Sequence, residues 1–129
     1  MSLKPLPSKP KILYIEGHST TRDVYCQLLT QTTDFELDTA SNGIEGLKKA
    51  ETWQPNLILI GLRLPVVDGF ETIEALRNQP ATATIPIIVI SAWASAKHKE
   101  HALAAGANEH LTPPVDTERL IRRINHYLK

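Results

Sequence analysis

Residues 56–69 read NLILIGLRLPVVDG, and their reading decides the fold. Leu57 to Ile60 form a short, unbroken apolar run. Such a run, bounded by turn residues, reads as a strand buried on both faces, the kind found in parallel sheets. A turn follows, marked by Pro65 and by Asp68-Gly69. Gly61 stands at the seam between strand and turn. In an open parallel α/β sheet, ligands bind beyond the carboxyl ends of the strands. The place where a reactive side chain is expected therefore holds a residue with none.

Working outward, ILYI (12–15) and IPIIVI (85–90) are further short apolar runs. FELDTA (35–40) alternates and suits a strand nearer an edge, and NEHLT (108–112) is a short fifth candidate stopped by Pro113-Pro114. Helical patterns lie between them. Residues 19–32 place Val24, Tyr25, Leu28 and Leu29 on one face, with Ser19 as the cap candidate. Residues 43–53 place Ile44, Leu47 and Ala50, and residues 69–78 place Phe70, Ile73 and Leu76. Residues 96–106 are Ala-rich and end in Gly106, a C-cap candidate. Residues 116–128 start at Asp116 as N-cap and space Leu120, Ile121, Ile124 and Leu128 along one face. The alternation βαβαβαβαβα predicts an α/β fold, a doubly wound five-stranded parallel sheet.

The 129 residues suit one domain. Lys plus Arg total 14 and Asp plus Glu total 14, so no basic footprint for nucleic acid and no polybasic membrane patch is expected. No apolar run approaches a membrane span. Cys26 is the single cysteine, which excludes an intrachain disulfide and points to a reducing compartment, read here as the cytoplasm. Residues 1–10 read as a Pro-rich tail or linker, with residues 1–3 a candidate cloning remnant and residues 11–129 the domain. A linker cut from a longer chain and a leader on a complete small protein are both open.

Over residues 11–128 the sequence resembles the receiver domain of two-component response regulators, a flavodoxin-like fold. ILYIEGHS stands where that family has a strand ending in an acidic pair. NLILIGLRLPVVDG stands where it has a strand, the phosphoaccepting aspartate and a turn. IPIIVISA matches the strand that ends in a switch hydroxyl, and AAGANEHLTPPV matches the segment with a switch aromatic or His and a Lys-Pro pair. By this resemblance Ser91 keeps the switch hydroxyl, His110 takes the switch aromatic position, and Pro114 is the proline that is usually cis. The chemical residues depart from the pattern. Glu16 keeps one acid of the pair and Gly17 replaces the other. Gly61 replaces the phosphoacceptor and Pro113 the lysine.

Family chemistry needs a carboxylate nucleophile, Mg²⁺ and a neutralising lysine. Glycine offers no nucleophile. Mg²⁺ takes near-octahedral oxygen ligands, and Glu16 alone is a poor holder. Proline cannot neutralise charge. The three losses fit together, because a lysine kept without the carboxylates would be buried without a partner. The expectation is a degenerate receiver, a pseudo-receiver that is not an enzyme, uses no metal or cofactor and works through protein contacts. Its expected partners are a histidine kinase, an effector domain or a second copy, met on the fourth helix, fifth strand and fifth helix.

Two alternatives stay open. The first is an active phosphorelay receiver with a non-standard acceptor, for which Asp68 is the nearest acid, although Asp-Gly is ordinary turn chemistry. The second is a small-ligand or anion sensor in the vacated crevice. For that reading GHSTTR (17–22) offers Gly17, Ser19, Thr20 and Thr21 at a helix N-terminus, where capping is the ordinary role. Glu16 with His18 is a weak metal pattern. Trp93 is either a partner anchor or a cover over the crevice. His101 lies with His110 near the expected partner face, and Trp53 reads as packing or surface.

Overall fold

The computed structural model describes residues 9–31 and 34–128. The tail proposed over residues 1–10 lies outside them except for Lys9 and Pro10. Five strands and five helices alternate: β1 (Lys11–Ile15), α1 (Ser19–Thr30), β2 (Glu36–Ala40), α2 (Gly43–Trp53), β3 (Leu57–Ile60), α3 (Gly69–Asn78), β4 (Ile87–Ile90), α4 (Ala96–Ala105), β5 (Glu109–Leu111) and α5 (Thr117–Leu128). The strands are parallel in the order β2-β1-β3-β4-β5. The chain runs outward from β1 to β2, then returns past it to β3 and continues the other way. The reversal lies between β1 and β3, and a crevice opens there at the carboxyl ends of the strands.

The unbroken apolar runs follow from helices on both faces. Successive strand side chains point to opposite sides. Leu13, Ile15, Ile58, Ile60, Ile87 and Val89 join the core under α2, α3 and α4. Ile12, Tyr14, Leu57, Leu59, Ile88 and Ile90 join the core under α1 and α5. Leu57, Ile58, Leu59 and Ile60 are each fully buried. At about 2–3 kcal/mol per side chain, these four contribute roughly 10 kcal/mol of transfer free energy, an upper bound against an extended chain.

Several local expectations change. His18, not Ser19, caps α1: its Nδ1 accepts from the Thr21 amide at 3.3 Å, and Ser19 is already helical and exposed. Imidazole nitrogen here does what a hydroxyl does in the usual cap. Val24 and Ile44, expected on buried faces, are 50% and 56% exposed. Helical spacing gives the width of an apolar face, whereas the sheet's edge decides how much of it is covered. Asp116 caps α5 as expected, accepting from the Arg119 amide at 2.8 Å. Gly106 ends α4 with φ +126°. A β-carbon there would stand 2.5 Å from Arg77 Cγ. The Pro113–Pro114 peptide bond is cis.

Candidate functional site

A cleft of about 920 Å³ lies at the carboxyl ends of β1, β3 and β4. Glu16, Gly17, Gly61, Ser91, Trp93 and Pro113, picked out separately in the sequence, all line it. Thr21 lines it too, while Ser19 and Thr20 are exposed on the first turn of α1 and do not. His110 and Pro114 stand outside the lining.

Glu16 forms the floor and is 8% exposed. Its Oε2 accepts from the His18 amide at 3.0 Å. Its main-chain oxygen accepts from Arg22 Nη1 at 2.8 Å. Its Oε1 stands 2.6 Å from the point a β-carbon on residue 61 would take. The carboxylate therefore packs into the space beside the glycine. The bottom of the cleft also affects Tyr14, whose buried hydroxyl has no hydrogen-bond partner among the described residues. Burial first, and then the charge of Glu16, push that hydroxyl far above its ordinary range.

Gly17 is tightly constrained. A β-carbon there would meet Pro65 Cδ at 2.7 Å and the Arg63 carbonyl at 3.4 Å. A proline ring does not swing aside as a carboxylate can, so any side chain at 17 requires the β3–α3 loop to move. Gly69 is equally tight, with the Gly61 carbonyl 2.5 Å and Leu62 Cα 2.6 Å from its β-carbon position. Its amide donates to the Leu62 carbonyl at 2.8 Å, which closes the turn. Asp68 is the N-cap of α3 and accepts from the Glu71 amide at 2.8 Å. Its charge pushes the Glu71 carboxyl upward.

The roof is built on the β4–α4 loop. Ser91 Oγ accepts from the Trp93 amide at 3.1 Å, so the hydroxyl is used within the loop. His110 Nε2 lies 2.9 Å from the Trp93 carbonyl. A carbonyl only accepts, so Nε2 carries the proton and Nδ1 is a bare, buried nitrogen without a partner among the described residues. Burial pushes the His110 imidazole below its ordinary pKa, and the nearby Lys99 and His98 push the same way, against the Trp93 carbonyl. Trp93 is 36% exposed and stacks on His98 with ring centres 5.2 Å apart. On its other contact the Arg63 guanidinium lies 5.4 Å from the ring centre. Arg63 thus links the β3–α3 loop to the β4–α4 loop at the mouth of the cleft. Sequence reading missed it. The available signal was its place two residues beyond Gly61, in the loop that must border any site at the end of β3.

His101 stands elsewhere, stacked on Phe70 at 3.8 Å between α3 and α4. Trp53 packs on the α2 side of the core with Lys11 Nζ 5.6 Å from its ring. Among the described residues no three His, Cys, Asp or Glu side chains converge as metal ligands, and no helix is long and apolar enough to cross a membrane.

Comparisons with known proteins fit this architecture. The chain is similar to the DNA-binding dual master transcriptional regulator RpaA of Synechocystis, 32% identical over 93% of this chain and 49% of that protein. It therefore spans about half the length of that regulator. It is 33% identical to a 14.6 kDa protein of Leptolyngbya boryana, over 90% of this chain and 88% of the other. Among solved structures, chemotaxis response regulator CheY4 of Vibrio cholerae superposes with a TM-score of 0.84 at 28% identity, covering 94% of this chain and all of the other. The receiver domain of a Pseudomonas aeruginosa sensor histidine kinase, with a magnesium ion coordinated in its active-site cleft, superposes with a TM-score of 0.86 at 27% identity, covering 94% and 98%. The family model for the response regulator receiver domain matches residues 12–125. Five parallel strands in this order, a cleft at the switch point and that match establish the chain as a member of the response regulator receiver domain family.

Proposed function

We propose that this receiver domain is a signalling module that works without phosphorylation on an aspartate, through contacts with a protein partner. The observation that carries the reading is the Glu16 carboxylate packed beside Gly61, where the family's nucleophile would stand. Gly17 and Pro113 support it. An acid at 17 requires Pro65 and the β3–α3 loop that carries it to move away, and a proline at 113 supplies no cation. The partner is expected on the α4, β5 and α5 face, and is a kinase, an effector domain or a second copy.

The test is intact mass after incubation with acetyl phosphate and Mg²⁺. An unchanged mass is expected. A stable gain of one phosphoryl group overturns the reading, and its loss in Asp68→Ala would move the assignment to an active receiver with a displaced acceptor. Mg²⁺ itself should not stabilise the fold. A ligand with a millimolar constant present at about tenfold excess would add about 1.4 kcal/mol, a shift of several degrees in Tm. A rise with Mg²⁺ that a matched monovalent salt does not reproduce counts against the reading.

A further inference from the structure

The cleft contains a buried carboxylate with no ion-pair partner among the described residues. Glu16 is 8% exposed, and it takes part in none of the ion pairs among the described residues. Neither neighbouring arginine makes an ion pair with the carboxylate. Arg22 donates to the Glu16 main chain rather than to its carboxylate, and Arg63 lies over Trp93. A carboxylate withdrawn from water is costly unless it is paired. One amide donor, from His18, meets only part of that need.

A second observation points the same way. Asp68 also borders the cleft and is the second carboxylate on its lining. Two carboxylates stand there against the single guanidinium of Arg63, and the excess negative charge attracts an entering cation. The walls are of another character. Tyr25 is 6% exposed, Ile90 3% and Leu62 fully buried, and Pro113 and Trp93 complete an apolar and aromatic enclosure. A hydrated Mg²⁺ wants oxygen on every side. These walls suit an apolar stem, and aromatic faces attract cations. About 920 Å³ lies within the range of small-molecule sites.

We propose that the cleft binds a small organic cation, a primary ammonium or a guanidinium on an apolar stem, with its charge on Glu16 and its stem against Tyr25 and Trp93. This rests on the reading that the cleft takes no phosphoryl group, and it names what the same cleft takes instead. Arg63 acts as a competing charge at the mouth, so Arg63→Ala binds such a cation more tightly.

The test is titration of the isotope-labelled protein, followed through its amide and indole N–H signals, with phenethylammonium and with phenethyl alcohol as the neutral analogue. Saturable shifts at His18, Ser91 and the Trp93 indole are expected for the ammonium, with a Kd of about 1 mM or tighter. The alcohol should bind at least about tenfold more weakly, the loss expected when a buried charge pair is not made. Glu16→Gln should remove the preference for the cation and leave the alcohol unaffected. Equal binding of the two compounds overturns the proposal, and that comparison needs no variant. Absence of saturable shifts with phenethylammonium, hexylammonium and arginine ethyl ester also overturns it. If the mass stays unchanged with phosphodonor while these cations fail, only this inference falls. A phosphoryl gain removes the reading beneath it as well.

Discussion

Glu16 Oε1 lies 2.6 Å from the position of a β-carbon on Gly61, and the two residues close the carboxyl ends of adjacent strands β1 and β3. The close atom is the end of a flexible side chain, so a methyl group at 61 can be admitted if Glu16 turns away. Gly61→Ala is therefore expected to cost at most about 1 kcal/mol, mainly the hydrogen bond from the His18 amide. Gly61→Asp adds a second carboxylate beside the first, and like charges so close raise their pair's pKa. Its cost at neutral pH should exceed that of Gly61→Ala by about 1–3 kcal/mol. The sign follows from proton binding: the folded variant holds a proton more tightly than the unfolded chain, so this difference shrinks as pH falls through the carboxylate range. Denaturant melts of both variants at two pH values measure it. A pH-independent difference excludes charge repulsion as the cause.

Val66 has φ +70° and is 81% exposed, which is a poor place for a β-branched residue. Asparagine tolerates this backbone. Val66→Asn is expected to raise stability by about 0.5–1 kcal/mol, read as a higher denaturation midpoint with an unchanged slope.

Arg77 holds two loops together. Its Nε donates to the Gly106 carbonyl at 2.9 Å, its Nη1 to the Ile85 and Ala83 carbonyls at 2.7 and 3.1 Å, and its Nη2 to Asn108 Oδ1 at 2.9 Å. Arg77→Met keeps much of the stem and removes the donor to the Gly106, Ala83 and Ile85 carbonyls, while Asn108 Oδ1 keeps the Ile87 amide. A loss of about 2–4 kcal/mol is expected in chemical denaturation. A loss below the error of the measurement would show that water replaces the guanidinium freely.

His110 supplies a pH dependence. Its folded pKa is lowered, chiefly by burial, so the unfolded chain binds the proton more tightly. The stability this provides is complete above the unfolded value of about 6.5 and is lost as pH falls from there through the folded value. In His110→Phe that slope should flatten. Subtracting the pH profile of the variant from that of the parent removes the contribution of the other four histidines. Trp93 fluorescence should change over the same interval, because protonation puts a positive charge on the ring whose Nε2–H is held by the Trp93 carbonyl. Profiles that run parallel from pH 7 to about 5 would exclude His110 as the source of this pH dependence.

Much of this was legible in the residues. Leu57 to Ile60 is too short for a helix and too apolar for a surface strand, and it lies at the centre of the sheet. The third helix occupies 69–78 as its spacing predicts, because Asp68 and Gly69 fix its start by capping and by close approach. The first helix was less legible. His18 looked like a ligand or a loop residue, and only the path of the chain shows its ring nitrogen turned back on the Thr21 amide. The Arg77 contacts were hidden for a related reason. Main-chain carbonyls carry no sequence signal, so a side chain that ties two loops together looks like any surface arginine.

The sequence by itself determined the order of the elements and the absence of a nucleophile at 61, because periodicity and the lack of a side chain are local properties. Only the tertiary structure decided what stands beside Gly61. Parallel pairing sets Ile15 opposite Ile60, so the next residue of each strand, Glu16 and Gly61, meets at one end of the sheet. There the missing side chain makes room, and the remaining buried carboxylate takes it.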